Sequence, residues 1–368
     1  MLMTKRKLLA LFPSYHSAYY PHPVGGGEIS NRLLLEALVA RGWDVSVVTC
    51  RTDIQGVSSG VKVYKTKGFK NRFLAIVFRN FFLKKESFFR AKEIDPDVVV
   101  CGPTALACAR DVGATCSVRI GLIVRAFENF KFLIERDFES RSIKRWVAAL
   151  FIGNYQVVNK PADFYIYNSE YMRATISPCI NGNGYVVYPS VDIPVSKRIV
   201  NQISNVHMVG LSREKGCGIL LKIADRFPEL SFSVYGKWDK SISLNELPGN
   251  VSYMGWTDPD GIYGAADIFL VPSQVDEAFG RVAVEALAYG CIVLVSDKGG
   301  LPETVDYDDR FIISSEDSDA WCSAIDAAIL SSLEFAESER DIRNRTRKYS
   351  IDNQVVEFEA ALLKETTS

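Results

Sequence analysis

The sequence predicts an α/β protein of two doubly wound, parallel-sheet domains, and three observations carry that prediction. Short apolar runs rich in β-branched residues alternate with longer stretches of helical period. The alternation stops and restarts once, near the middle of the chain. The length of 368 residues suits two domains of about 150 residues each.

In the first half, residues 7–12, 44–49, 98–101, 119–124 and 164–167 read as strands, apolar on both faces as buried parallel strands are. Between the first two, residues 28–41 place Ile29, Leu33, Leu34, Ala37 and Leu38 on one helical face, and Gly42 supplies the stop. Strand, helix and strand form a right-handed crossover unit. After Pro189 the pattern restarts: residues 206–209, 232–235, 251–254, 268–271 and 292–295 form a second strand set, with helical stretches at 216–226, 280–288 and 318–330. Pro189 and Pro194 interrupt both periods and mark the boundary. The expected domains are 1–193 and 200–348, each Rossmann-like. Residues 349–368 close the chain with a helix that packs back on the first domain. Open parallel sheets bind ligands beyond the carboxyl ends of their strands, so two sheets facing across a cleft put the expected site there.

Composition excludes several function classes. A net charge of −1 gives no field that would recruit nucleic acid. No apolar run is long enough to span a bilayer, and the short run 8–12 ends at Pro13, so it reads as a first buried strand and not as a signal-peptide core. The eight cysteines form no C-x-x-C pair, and with three histidines no zinc site is expected. Those cysteines read as small buried hydrophobes in a reducing cytoplasm.

Residues 271–290 carry the most chemistry. A strand ends at Pro272, a loop holds Glu277, a helix opens near Phe279 or Gly280 with Glu285 inside it, and Gly290 ends the helix. The two carboxylates are eight residues apart, ~12 Å if the whole span were helical, which is about the reach from a donor sugar to the ribose of a nucleotide diphosphate. The helix N-terminus between them suits a diphosphate, because it offers N–H groups and the positive end of the dipole.

These residues resemble the E-x7-E motif of the retaining GT-B glycosyltransferases of family 4, the glycosyl transferases group 1. The resemblance continues through 286–290, 293–295 and 299–303, and takes in Gly255 and 267–273. It implies that Glu277 meets hydroxyls of the donor sugar and Glu285 the ribose diol. Backbone N–H groups at Phe279 and Gly280 would meet sugar and phosphates, with Ala278 and Arg281 beside them. Residues 209–216 resemble the family segment that supplies an Arg and a Lys to the diphosphate. Lys215 matches the Lys; the family Arg is replaced by Leu211, and Arg213 is the substitute. In the first half, Gly25 and Gly26 of the run 25–27 resemble the family's Gly-rich loop, where glycine admits close backbone approach. Many members carry a His after the fourth strand of that half; this chain has Arg125, which cannot act as a base but can hold a phosphate or an anionic acceptor. His16 and His22 lie in the loop after the first strand. The catalytic candidates are thus Glu277, Lys215 and Arg125.

Residues 62–92 hold ten Lys or Arg against one acid, interleaved with seven Phe from Phe69 to Phe89. Such a stretch reads as a contact for an anionic membrane surface. Asp95-Pro96-Asp97 and Asp258-Pro259-Asp260 have the spacing of a metal-binding Asp-x-Asp but read as turn and helix-start chemistry. The resemblance implies metal-free, retaining transfer from a UDP- or GDP-linked sugar, with no further cofactor, to a glycan or lipid-linked acceptor, in a cytoplasmic enzyme peripheral to the inner membrane face. A weakly active nucleotide-sugar-binding scaffold and a GT-B sugar epimerase are the alternatives.

Overall fold

The computed structural model describes residues 5–17, 25–68, 79–126, 130, 161–192, 203–330 and 339–366. The chain divides into two compact units, Met1–Ser190 with Ile351–Ser368, and Val191–Ser350.

The first unit is built on an eight-stranded sheet in the order β3-β4-β2-β1-β5-β6-β7-β8. Its strands are β1 (Lys7–Ser14), β2 (Asp44–Arg51), β3 (Gly56–Ser58), β4 (Val61–Lys65), β5 (Val98–Cys101), β6 (Arg119–Val124), β7 (Phe164–Tyr167) and β8 (Asn183–Val186). All neighbours are parallel except β3 with β4. β1 runs past Pro13, which is skipped in the register with β2 because proline has no N–H to give the ladder. The second unit carries six parallel strands in the order β11-β10-β9-β12-β13-β14: β9 (Asn205–Leu211), β10 (Ser231–Trp238), β11 (Val251–Gly255), β12 (Ile268–Val271), β13 (Ile292–Ser296) and β14 (Ile312–Ile313).

The helix Gly26–Ala40 buries Leu34, Leu35 and Leu38, and the last helix, Ile351–Thr366, joins that core through Val355, Phe358, Ala361 and Leu362. Burying one such side chain contributes about 1.5–3 kcal/mol. Polar contacts fix its register. Glu359 accepts from Trp43 Nε1 at 2.8 Å, and Glu365, 1% exposed, accepts from Tyr185 at 2.7 Å and Asn183 at 2.8 Å while pairing with Arg119 at 2.6 Å. Burial and the adjacent Glu365 push the Tyr185 hydroxyl up to about 12. All eight cysteines are free thiols, four of them buried and Cys179 exposed.

The described residues of the basic stretch are divided between two elements. Lys62 and Lys65 lie on β4, where Lys62 pairs with Asp44 at 2.8 Å. Residues Arg79–Ile94 form a helix that buries Leu83, Ser87 and Ala91. Phe81 (62% exposed) and Phe89 (60%) face outward, whereas Phe82 and Phe88 are half-buried. Phe69, Phe73 and Phe78 lie outside the described residues. Lys84 pairs with Asp111, and Arg90 with Glu86 and Glu93, so that among the described residues Lys85 and Lys92 are the helix's exposed lysines outside ion pairs. Among the described residues no helix is long and apolar enough to cross a membrane.

Candidate functional site

In the second sheet β9 is flanked by β10 and β12, so the direction of winding reverses between β9 and β12. Loops leaving the carboxyl ends of strands at such a point meet, and ligands bind there. Lys215 follows β9 and Glu277 follows β12, and the Lys215 Nζ donates to Glu277 Oε1. Ser273, fully buried, donates its hydroxyl to the same oxygen at 2.7 Å.

Glycines make this junction close. Gly216 has φ +84°, and a Cβ there would lie 2.0 Å from the Pro272 carbonyl oxygen, so the turn after β9 can seat against the end of β12 only without a side chain. Gly299, φ +64°, bridges Glu277 as a parallel pair, and a Cβ there would lie 2.3 Å from the Glu277 carbonyl oxygen. Gly300 N–H donates to that oxygen at 2.7 Å. The Glu277 backbone is thus held on one side by the loop after β13.

Four residues after Glu277 the helix Arg281–Ala288 begins, with Gly280 at φ +99° as its N-cap and no side-chain cap. Phe279 is 3% exposed and packs edge-on against Tyr349, with ring centroids 5.4 Å apart. Glu285 uses both oxygens: Oε2 accepts from the Tyr263 hydroxyl and Oε1 from Arg281 Nε, each at 2.6 Å. Burial, and then the charge and hydrogen bond of Glu285, raise the Tyr263 hydroxyl far above its ordinary value, so it stays a proton donor. Each carboxylate oxygen keeps a second lone-pair direction for a ligand hydroxyl. Arg213 is exposed on the turn after β9, and the Ser241 hydrogen bonds, followed by the Arg213 and Lys237 charges, hold the Asp239 carboxyl below its usual range.

The other candidates lie in the first unit. Gly25 is the N-cap of the helix Gly26–Ala40, with φ −64° and no side-chain cap. Arg125 follows β6; its Nε donates to Asn31 Oδ1 at 3.2 Å and its carbonyl accepts from Asn168 Nδ2 at 3.2 Å. His16 Nδ1 lies 3.4 Å from Asp53, and His22 is outside the described residues. The structure therefore brings Lys215 and Glu277 into contact, and Arg281 and Glu285 into contact, while Gly25, Gly26 and Arg125 belong to a separate unit. Sequence reading gave no role to Ser273, counted only within the resemblance at 267–273, and missed Tyr263 and Asn31. The first two sit beside the Glu-bearing stretch, but a serine after a strand and a tyrosine in the five-residue helix Pro259–Tyr263 carry no signal of their own. Asp258 caps that helix, accepting from Gly261 N–H at 2.8 Å.

The family described as glycosyl transferases group 1 matches residues 200–349. A 42.6 kDa protein in the cps region of Klebsiella pneumoniae is 25% identical over 321 residues, 78% of this chain and 85% of its own length. The lipopolysaccharide 1,2-N-acetylglucosaminetransferase of Salmonella typhimurium is 46% identical over 66 residues, 17% of each chain. HepE of Anabaena, solved in complex with UDP and glucose, superposes with a TM-score of 0.71 at 17% identity, covering 98% of this chain and 100% of its own. The two parallel-sheet units are those of the GT-B fold, and it is residues 200–349, in the second unit, that match the glycosyl transferases group 1 family.

Proposed function

We propose that this enzyme transfers a hexose from a UDP-sugar, with retention and without a metal, to an acceptor used in building a surface polysaccharide. The observation that carries the donor assignment is the Lys215–Glu277 pair, set beside the glycine-capped start of the helix Arg281–Ala288. Lys215 and that helix N-terminus would stabilise charge developing on the leaving diphosphate, which is the main electrostatic task of the reaction. Arg213 is the candidate second cation. Glu277 would accept hydrogen bonds from sugar hydroxyls and Glu285 from the ribose diol. Phe279 and Gly280 would give backbone N–H groups to sugar and phosphates, with Ala278 and Arg281 beside them. Gly25 and Gly26 would admit close approach of a ligand to their backbone. Arg125 would hold an anionic group of the acceptor. Retention is what the family implies, and no protein nucleophile is assigned.

The UDP complex of HepE supports uridine as the base, and the lipopolysaccharide transferase supports a lipid-linked or polysaccharide acceptor. A thermal-shift panel of nucleotide sugars tests the donor. A true donor at 100 times its Kd stabilises the fold by about 2.7 kcal/mol, so UDP-sugars should raise the melting point and chelators should leave transfer intact. A panel with no shift would defeat the reading.

The acceptor side extends to membranes. Phe81 and Phe89, exposed on the same helix as Lys85 and Lys92, suit an anionic bilayer, with aromatic rings in the interface and about 1 kcal/mol from each lysine near it. Replacing Lys85 and Lys92 by Ser should release the protein from anionic vesicles while donor hydrolysis persists. Wild-type protein that ignores such vesicles at low salt would remove the membrane from the proposal.

A further inference from the structure

The Glu277 carboxylate is not symmetric in its surroundings. Oε1 receives the Ser273 hydroxyl at 2.7 Å and the Lys215 ammonium as well. Oε2 has no partner among the described residues, on a side chain 19% exposed. Ser273 is itself locked: it is fully buried, and its carbonyl accepts the hydroxyl of buried Ser296 at 2.8 Å. A serine hydroxyl has one proton to give, and here it is spent on Glu277. The Glu277 backbone is pinned by Gly299 and Gly300, so the carboxylate cannot relieve the arrangement by shifting its main chain.

We infer that Ser273 is a positioning residue that divides the Glu277 carboxylate, committing Oε1 to the protein and presenting Oε2 to the donor sugar; the inference rests on the donor assignment above. An ammonium has three protons. With one on Oε1, two remain for the diphosphate, so a single Lys215 nitrogen joins the sugar-recognising carboxylate to the leaving group. Sugar recognition and leaving-group stabilisation are thereby wired through Oε1, and Ser273 holds that wire in place. Bare UDP has the diphosphate but no sugar, so it meets Lys215 and leaves the Oε2 side of the link unused.

The test separates sugar from nucleotide. Ser273→Ala should bind UDP within about twofold of wild type, while kcat with the preferred UDP-sugar falls roughly 10- to 100-fold, the range for losing one hydrogen bond to a charged group. Its preference for that sugar over the C4 epimer should shrink. Glu277→Gln gives a second reading that does not depend on the packing at Ser273. With two donors on Oε1, the amide must turn its oxygen inward and its NH2 toward the sugar, so turnover should drop with UDP affinity kept. Ser273→Ala that melts with wild type and keeps both kcat and epimer preference would overturn the inference while leaving the donor assignment standing. Glu277→Gln with full rate would overturn it equally. Wild-type protein that binds no nucleoside diphosphate would bring down the donor assignment and this inference together.

Discussion

The two units place candidate residues at the carboxyl ends of their strands by different means. In the second unit, glycine is a steric requirement. Gly216, Gly280 and Gly299 all have φ between +64° and +99°, and each would drive a Cβ to within 2.4 Å of a neighbour. In the first unit the run Gly25 to Gly27 is under no such demand: Gly25 has φ −64° with open space around it, and a Cβ at Gly27 would meet Arg125 at an ordinary 3.6 Å. Gly216 and Gly299 hold backbone against backbone where Lys215 reaches Glu277, whereas Gly280 packs under the Leu301 side chain. Gly25 and Gly27 are under no packing demand, unlike Gly121 of the same unit, whose Cβ would lie 2.3 Å from Phe164, so their backbone is open to a ligand.

The comparison breaks most sharply at Gly216. Gly216→Ala puts a methyl 2.0 Å from a backbone oxygen in a left-handed conformation, and it should cost about 4 kcal/mol or more, read as loss of the folded baseline in a thermal melt. A melt like wild type would mean that the junction between the turn after β9 and Pro272 is soft.

Lys215→Ala comes next, and its effect should be on rate. Removing a preorganised charge from a developing anion lowers kcat by roughly 100- to 1000-fold. The Lys215 side chain is 42% exposed, so the melting point should hardly move. Equal losses of rate and stability would mark Lys215 as structural.

Glu285→Ala should weaken UDP binding by about 1.5–3 kcal/mol, since a diol loses a charged acceptor. It also leaves the buried Tyr263 hydroxyl without its partner at 2.6 Å, so Tyr263→Phe is the control that isolates the packing cost. If calorimetry gives Glu285→Ala the wild-type affinity, the ribose is held elsewhere.

The fold class was legible because both sheets are central parallel ladders whose strands, such as Val98–Cys101 and Ile268–Val271, are buried on both faces and read as unbroken apolar runs. The short outer elements were not. β3 is three residues long and β14 two, below the length at which a period can be seen, and five-residue β4 alternates Val with Lys and Tyr in place of an unbroken apolar run. The helix Arg79–Ile94 was read only as a basic aromatic stretch, because its phenylalanines sit on exposed and half-buried positions alike and draw no single stripe. The candidate site divides the same way. Glu277, Gly280 and Glu285 share one contiguous stretch, so their spacing is readable. Asn31 with Arg125 spans 94 residues and Tyr263 with Glu285 spans 22, and neither pair exists until the strands are ordered.

The smallest expected effect on stability sharpens the comparison furthest. Gly27 lies in the first turn of the helix Gly26–Ala40, where alanine is the better helix former by about 0.5–1 kcal/mol. Nothing around Gly27 opposes the added methyl, because the nearest atom is Arg125 Cβ at contact distance. Gly27→Ala should therefore melt at or slightly above the wild-type temperature. Its effect on transfer then reports on the ligand alone. If the run Gly25 to Gly27 gives its backbone to donor or acceptor, the methyl stands in the approach and beside the Arg125 stem, and kcat/KM should fall although the protein is no less stable. Gly216→Ala loses activity by losing the fold, so the pair separates glycine kept for packing from glycine kept for a ligand. A Gly27→Ala enzyme with unchanged kcat/KM would make the run an ordinary helix start.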